Sequence, residues 1–249
     1  MKIEVRQADY QDIAPLRELY RQEASCQIIH DSVLSHRFAD PYLILVDGRV
    51  AGYGGIRNKH DPNRLIEFYT LPPMHSFAQP MFRELLAVSR GTHIEAQTNM
   101  PLMLLMLYDH AKNIVSESIL FQDAFTTSLI CPGAAFRPFT SDDKSSLFEH
   151  SDEPPGDWVI EASNSVIATG GFLTHYNPPY GDIYMEVSEP ARRQGVGSYL
   201  VQELKRVCYE TGKKPAARCD PANIASRLTL QKAGFLPCAC LLVGEVDTP

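Results

Sequence analysis

Along the 249-residue chain, the spacing of apolar and polar positions changes period repeatedly, and each change marks an element. Ile3 to Ala8 alternates with period two, which predicts a strand. Asp9 to Ala24 shifts to helical spacing, with Asp9 as N-cap and Ile13, Leu16, Leu19 and Tyr20 on one face. Tyr42 to Arg57 reads as a hairpin turning at Asp47-Gly48. Strand patterns come next at Arg64–Leu71, His93–Thr98 and Ser118–Phe125. Between them lie helical patterns at Met81–Arg90, stopped by Gly91, and at Leu102–Lys112.

The order then begins again. Ala135–Thr140 resembles a first strand, and Asp157–Tyr176 is a second hairpin turning near Ser163-Asn164. A strand at Gly181–Val187 leads to a helix over Ser198–Thr211, with Leu200, Val201, Leu204, Val207 and Cys208 on one face. After a strand at Lys214–Asp220, Asp220-Pro221 opens a helix that stops at Gly234, and Phe235–Val246 closes the chain as strand. Tyr42–Gly55 lies over Trp158–Gly171 without a gap: aromatic start, turn and Gly-Gly finish coincide. Such self-similarity predicts two copies of one mixed α/β unit. Only residues 141–156 separate the second copy's first strand from its hairpin, so that copy lacks most of its first helices. The join is expected between Thr126 and Gly133, giving domains 1–130 and 131–249.

Composition narrows the function. A formal net charge of −7 argues against a nucleic-acid partner, which needs a basic surface. Hydrophobic residues make up 44%, enough for a sizeable core. The cysteines, Cys26, Cys131, Cys208, Cys219, Cys238 and Cys240, form no CxxC and no metal-like spacing with histidine. Cys238 and Cys240 alternate in an apolar run and read as buried strand thiols, so no metal is expected. The first residues hold no hydrophobic signal region, and the longest apolar stretch, Pro101–Tyr108, is too short to span a bilayer. The expectation is a reduced, cytoplasmic protein with no membrane partner.

The chemistry concentrates in EPARRQGVGSYL, Glu189 to Leu200. A strand ends at Val187, and the Gly195-Val196-Gly197 turn sits where a helix begins. Such a turn offers unpaired N–H groups and the positive end of a helix dipole. Glycines let an anion approach the backbone, and Arg192 and Arg193 can add charge-assisted contacts. A diphosphate suits this chemistry. No Gly-Lys-Ser/Thr is present for a Walker loop, and Leu200 stands where a dinucleotide fingerprint needs its third glycine.

The stretch Val187–Gly212 resembles the acetyl-CoA-binding segment of the GCN5-related N-acetyltransferases (GNATs), in which a strand leads into Arg/Gln-x-x-Gly-x-Gly/Ala and a helix. Arg192, Gly195 and Gly197 match the fixed positions. Asn223–Phe235 resembles the family's second signature, with Asn223 opening it and Ser226 at a small-residue position. The resemblance covers Phe136 to Val246. The first half resembles a degenerate copy, because Leu71–Pro80 holds neither the arginines nor the glycines. The resemblance implies an α/β fold of two GNAT-like mixed-sheet units in tandem, with acetyl-CoA as co-substrate. It assigns cofactor contacts to Val187, Arg192, Arg193, Gln194, Gly195, Val196, Gly197, Ser198, Asn223 and Ser226. It also implies acetyl transfer to an amine, small molecule or peptide, with the backbone N–H near Val187 stabilising the oxyanion.

Many relatives place a tyrosine acid just before the Gly-Phe ending, where this chain has Leu230. Alternation puts Tyr184 and Glu186 on one side of their strand and Met185 and Val187 on the other. Glu186 is the first candidate for the base, and a structural carboxylate is the other reading of it. His175 could line the cleft or stand in an exposed loop, and Asn223 could touch cofactor or merely cap a helix. The acidic run Ser141–Asp157 reads as a solvated loop that could also draw a cationic amine. The rival functions are a non-catalytic CoA-binding or regulatory module and transfer of a longer acyl chain.

Overall fold

A computed structural model describes residues 1–23, 30–175 and 177–247; Cys26 and Tyr176 lie outside the described residues. The chain forms two compact units, Met1–Ser118 with Ala239–Pro249, and Ile119–Cys238. The expected join at 126–133 thus differs from the compact division, which falls at Ser118/Ile119 and again at Cys238/Ala239. Both divisions fall inside a continuous strand, where apolar alternation carries on unchanged and gives no sign of a boundary.

The first unit orders its strands β1 (Ile3–Gln7), β2 (Ala39–Val46), β3 (Arg49–Arg57), β4 (Arg64–Thr70), β5 (His93–Gln97) and β12 (Phe235–Val246). Helices α1 (Tyr10–Glu23) and α2 (Asp31–Ser35) come after β1, while α3 (Ala78–Ser89) comes after β4 and α4 (Pro101–His110) after β5. On α1 the buried side chains are Ile13, Leu16, Arg17 and Tyr20. Leu19, expected inside, is 42% exposed, and Arg17 takes the inward position. The set 13, 16, 17, 20 follows i, i+3, i+4, i+7, and residue 19 falls off that stripe.

The second unit orders its strands β7 (Ala134–Pro138), β8 (Trp158–Ala162), β9 (Ser165–Leu173), β10 (Tyr180–Val187), β11 (Lys214–Cys219) and β6 (Ala111–Asp123). Between β7 and β8 there is only a short 3-10 turn, Ser141–Ser145, as the missing front helices predict. Helices α5 (Val196–Glu210) and α6 (Ile224–Lys232) come after β10 and β11. The expected stripe Leu200, Val201, Leu204, Val207 and Cys208 is buried. Asp220 does not cap α6: its carboxylate accepts from Ala222 N, and the helix starts later, on Asn223.

The two hairpins agree in fine detail. Asp47-Gly48 and Ser163-Asn164 all have positive φ, the two-residue turn that suits strand twist. Each hairpin carries a bulge, at Ile44/Leu45 and at Ile160/Glu161, equivalent positions of the aligned segments. Gly54 and Gly170 are also equivalent: a Cβ would strike Leu85 of α3 in one and Leu204 of α5 in the other. Each unit is closed by a strand that comes after the other copy in chain order: Leu241–Glu245 of β12 pair with β5, and Ile119–Gln122 of β6 with β11. Among the described residues, no helix is long and apolar enough to cross a membrane.

Candidate active site

In the second unit, β10 and β11 run parallel but pair only at Tyr180–Asp182 with Lys214–Ala216. Beyond that point β10 stays paired to β9 as far as Val187, and β11 to β6 as far as Cys219. The two strands therefore diverge, leaving a wedge between them. Lys214 N donates to Pro179 O, and Ser188 N to Ile167 O, so odd-numbered amides of β10 point towards β11. The N–H groups of Ile183, Met185 and Val187 accordingly face the wedge.

The predicted anion turn stands at the end of β10. Gly195 is the N-cap of α5 in left-handed conformation (φ 85°), with no side-chain cap on the helix. The first-turn amides of Val196, Gly197 and Ser198 lack intrahelical partners by position. A Cβ on Gly197 would meet Thr229 at 3.2 Å and Met185 and Val187 at 3.4 Å, so only glycine keeps this approach open. Met185 and Val187 thus face α5, as alternation predicts. Arg192 and Arg193 are exposed beside the turn, the latter at φ 63°. Arg192 Nε donates to Val187 O at 3.0 Å. Lys232 brings a third cation: its Nζ lies 3.6 Å from where a Gly195 Cβ would be. Gln194 instead closes the turn, donating to Pro190 O. Val196 and Ser198 are buried. Asn223 caps α6, accepting from Ser226 N at 3.0 Å, while Ser226 also lines the wedge. This donor set, bare amides with three cations, fits a diphosphate.

A cavity of about 120 Å³ occupies the wedge. Val201, Ser226 and Leu230 line it from the helices, and Glu153, Asp182, Tyr184 and Arg218 supply its polar groups. Leu230 is 4% exposed and offers no proton. Asp182 is buried, with one carboxylate oxygen 3.1 Å from Arg218 Nε. Burial pushes the Asp182 carboxyl up to about 6, against the pull of Arg218 and with help from Glu153. Burial likewise raises Glu153, again against Arg218. His175 is exposed and does not line this cavity.

Glu186 has a different setting from the one a base needs. Oε1 accepts from Ser151 N and Oγ, both at 2.9 Å, and Oε2 from Asp152 N and Glu153 N, both at 3.3 Å. Arg192 lies 3.7 Å and His150 Nδ1 3.5 Å away. Burial would raise its pKa, but these donors outweigh it and hold the carboxyl below its ordinary value. A carboxylate so fully bonded is a poor proton acceptor, and Glu186 does not line the cavity. These contacts favour the structural reading of Glu186 over the catalytic one.

Sequence reasoning passes over Asp182, Glu153 and Lys232. Asp182 is legible in principle, since it shares the Tyr184 and Glu186 side of its strand. Glu153 and Lys232 carry no local signal, because a loop fold brings one to the wedge and helix packing brings the other to the turn.

The model for the acetyltransferase (GNAT) family matches residues 121–235, and that for an acetyltransferase (GNAT) domain matches residues 9–124. The structure is similar to a GNAT-family acetyltransferase from Colwellia psychrerythraea, at TM-score 0.76 and 13% identity, covering 99% of this chain and 100% of that one. It is also similar to a tandem GNAT protein from the clavulanic acid biosynthesis pathway, at TM-score 0.63 and 11% identity, covering 100% of both chains. A GCN5-related N-acetyltransferase from Sphaerobacter thermophilus is similar at TM-score 0.59 and 15% identity, covering 99% and 96%. No curated protein matches the chain in sequence. With two family matches end to end and the wedge and bare turn in the second, the chain belongs to the GNAT acetyltransferases and carries two of their units in tandem.

Proposed function

We propose that the second unit transfers acetyl from acetyl-CoA to an amine. The observation that supports this best is the cavity in the β10–β11 wedge, next to an uncapped, glycine-lined helix N-terminus with three cations. The diphosphate takes the amides of Val196, Gly197 and Ser198 with Arg192, Arg193 and Lys232. Met185, Val201 and Leu230 make an apolar wall for the pantetheine arm. Acetyl-CoA supplies an activated acyl carbon. The Met185 and Val187 amides face the wedge and donate to the oxygen on which charge develops.

The amine must lose a proton before it attacks. Asp182 receives it: the group lines the cavity, is ionised at neutral pH, and has a pKa of about 6 set by burial. The C–N bond forms as the C–S bond breaks, and the nitrogen's second proton goes to the departing thiolate. No tyrosine stands at Leu230 to assist. That same substitution favours one rival, a module that binds CoA without turnover. Free-thiol release from acetyl-CoA with a panel of amines separates the two. Release that depends on the amine supports transfer, and CoA binding with no release under any amine supports the module.

A further inference from the structure

The acidic run ahead of the second hairpin has the composition of a solvated loop, yet one piece of it is fixed. Three successive amides, of Ser151, Asp152 and Glu153, all donate to the Glu186 carboxylate. Glu186 is itself only 8% exposed and sits on β10, the strand that forms one wall of the wedge. The result is directional. With its backbone nitrogen held, Glu153 turns its side chain to the cavity that Asp182 and Arg218 also line.

We propose that Glu153 is the specificity-determining residue of the acceptor cavity and Glu186 the positioning residue that holds it there, so that the site takes an amine arriving as a lone cation, with no carboxylate beside it. The inference rests on the acyl-transfer reading above. Its basis is charge. Arg218 Nε lies against Asp182 and offsets that carboxylate. Arg218 also pulls on Glu153, so two carboxylates share one arginine and the cavity wall keeps one net negative charge, which attracts an ammonium group and repels a carboxylate. Burial raises the Glu153 carboxyl against the pull of Arg218, with Asp152 and Glu186 adding to the rise. An alkylamine or a lysine side chain meets the requirement. The α-amine of a free amino acid does not, because its own carboxylate would face Glu153 and Asp182.

The test uses the full chain and two acceptors, 1,4-diaminobutane and free glycine, with thiol release for turnover and calorimetry for CoA. Wild-type kcat/KM should favour the diamine at least tenfold. Glu153→Gln should raise the diamine KM about tenfold and shrink that preference, with CoA affinity kept. Glu186→Ala should reproduce this KM rise although it touches no acceptor, because it frees the loop. Glu186→Gln keeps an acceptor oxygen for one side of the loop and should fall between. Thermal unfolding checks that each variant is folded; should Glu186→Ala unfold, Glu153→Gln and Glu186→Gln carry the test. A wild-type preference for glycine, or an unchanged diamine KM in folded Glu153→Gln, overturns the proposal. Absence of amine-dependent thiol release in the wild type would instead overturn the transfer reading itself.

Discussion

In both units a pair of parallel strands diverges at the same place, yet the gap is filled in opposite ways. In the first unit β4 and β5 pair only at Arg64 and Leu65 with His93 and Ile94, then separate. Buried charges stand on the two separated strands. Arg17 from α1 donates through Nε and Nη2 to Glu67 on β4, at 3.0 and 2.7 Å. Tyr53 donates to the same carboxylate at 2.7 Å. His30 lies between Glu67, at 3.3 Å, and Glu95 on β5, at 2.6 Å. Arg64 reaches Glu95 at 3.1 Å. In the second unit the corresponding wedge keeps a cavity and two carboxylates sharing one arginine. The first site satisfies its charges internally, and the second leaves charge for a ligand. The turn after each wedge differs in the same sense: Pro72–Phe77 is a 3-10 segment without glycine or arginine, where the second unit has its bare turn.

Breaking the first unit's cluster should produce the largest effect. Glu67→Gln or Arg17→Met breaks the buried Arg17–Glu67 pair, at a cost of about 3–5 kcal/mol. Denaturant unfolding should show a transition at markedly lower midpoint. An unchanged midpoint would mean that the cluster is not a structural filling.

The same kind of change in the second unit should act on turnover instead. Asp182→Asn should lower kcat about a hundredfold, roughly 2.7 kcal/mol, and remove the acidic limb of the pH–rate profile that wild type shows near its pKa of about 6. Stability should not fall with it. A carboxyl whose folded pKa is raised weakens the fold once pH exceeds the unfolded value, so removing the charge at neutral pH relieves the protein. A large loss of melting temperature with unchanged kcat would make Asp182 a structural residue.

Next comes the turn. Arg192→Ala should weaken CoA binding roughly tenfold, about 1.4 kcal/mol, near the low end for a charged hydrogen bond because the side chain is 52% exposed. Gly197→Val should weaken it further by closing the gap to Thr229. Calorimetric titration should give one CoA per chain, and two equivalent sites would erase the contrast between the wedges.

The smallest expected effect is on pH. Burial opposes charge on His30, but Glu67 and Glu95 outweigh it and raise its pKa. The stabilisation from its proton is complete below the unfolded pKa near 6.5 and is lost as pH rises through the folded value. Arg17, Arg57 and Arg64 keep both carboxylates compensated, so the loss is partial. Melting temperature should therefore decline on the alkaline side in wild type and flatten there in His30→Gln. An identical slope in both would show that His30 is neutral throughout.

Much of this molecule is legible along the chain. The hairpin repeat, the missing front helices of the second copy and the stripe on α5 depend on local period and turn chemistry, which neighbouring residues set between them. The Gly195–Gly197 turn is legible for the same reason, since its purpose is to expose backbone at a helix start. Errors arise where a local rule has competing answers. Leu19 and Arg17 are two positions apart on α1, and hydrophobicity favours the leucine, but the inward stripe passes through the arginine because Glu67 waits there. Asp220 and Asn223 both suit an N-cap, and only the backbone course decides between them.

By itself the sequence determined the two-copy plan, the element order and the anion turn in the second copy, because periodicity and backbone freedom are properties of short segments. Tertiary structure decided which strand closes each unit, since a strand's pattern specifies a buried face and not its neighbour. It also decided the roles of the acids. Glu186, Asp182 and Glu153 are the same chemical type within one small region, and only packing tells them apart: four donors hold Glu186, burial raises Asp182, and a pinned backbone turns Glu153 to the cavity. A carboxylate's chemistry comes from the donors, charges and water around it, and residues distant in sequence bring those together.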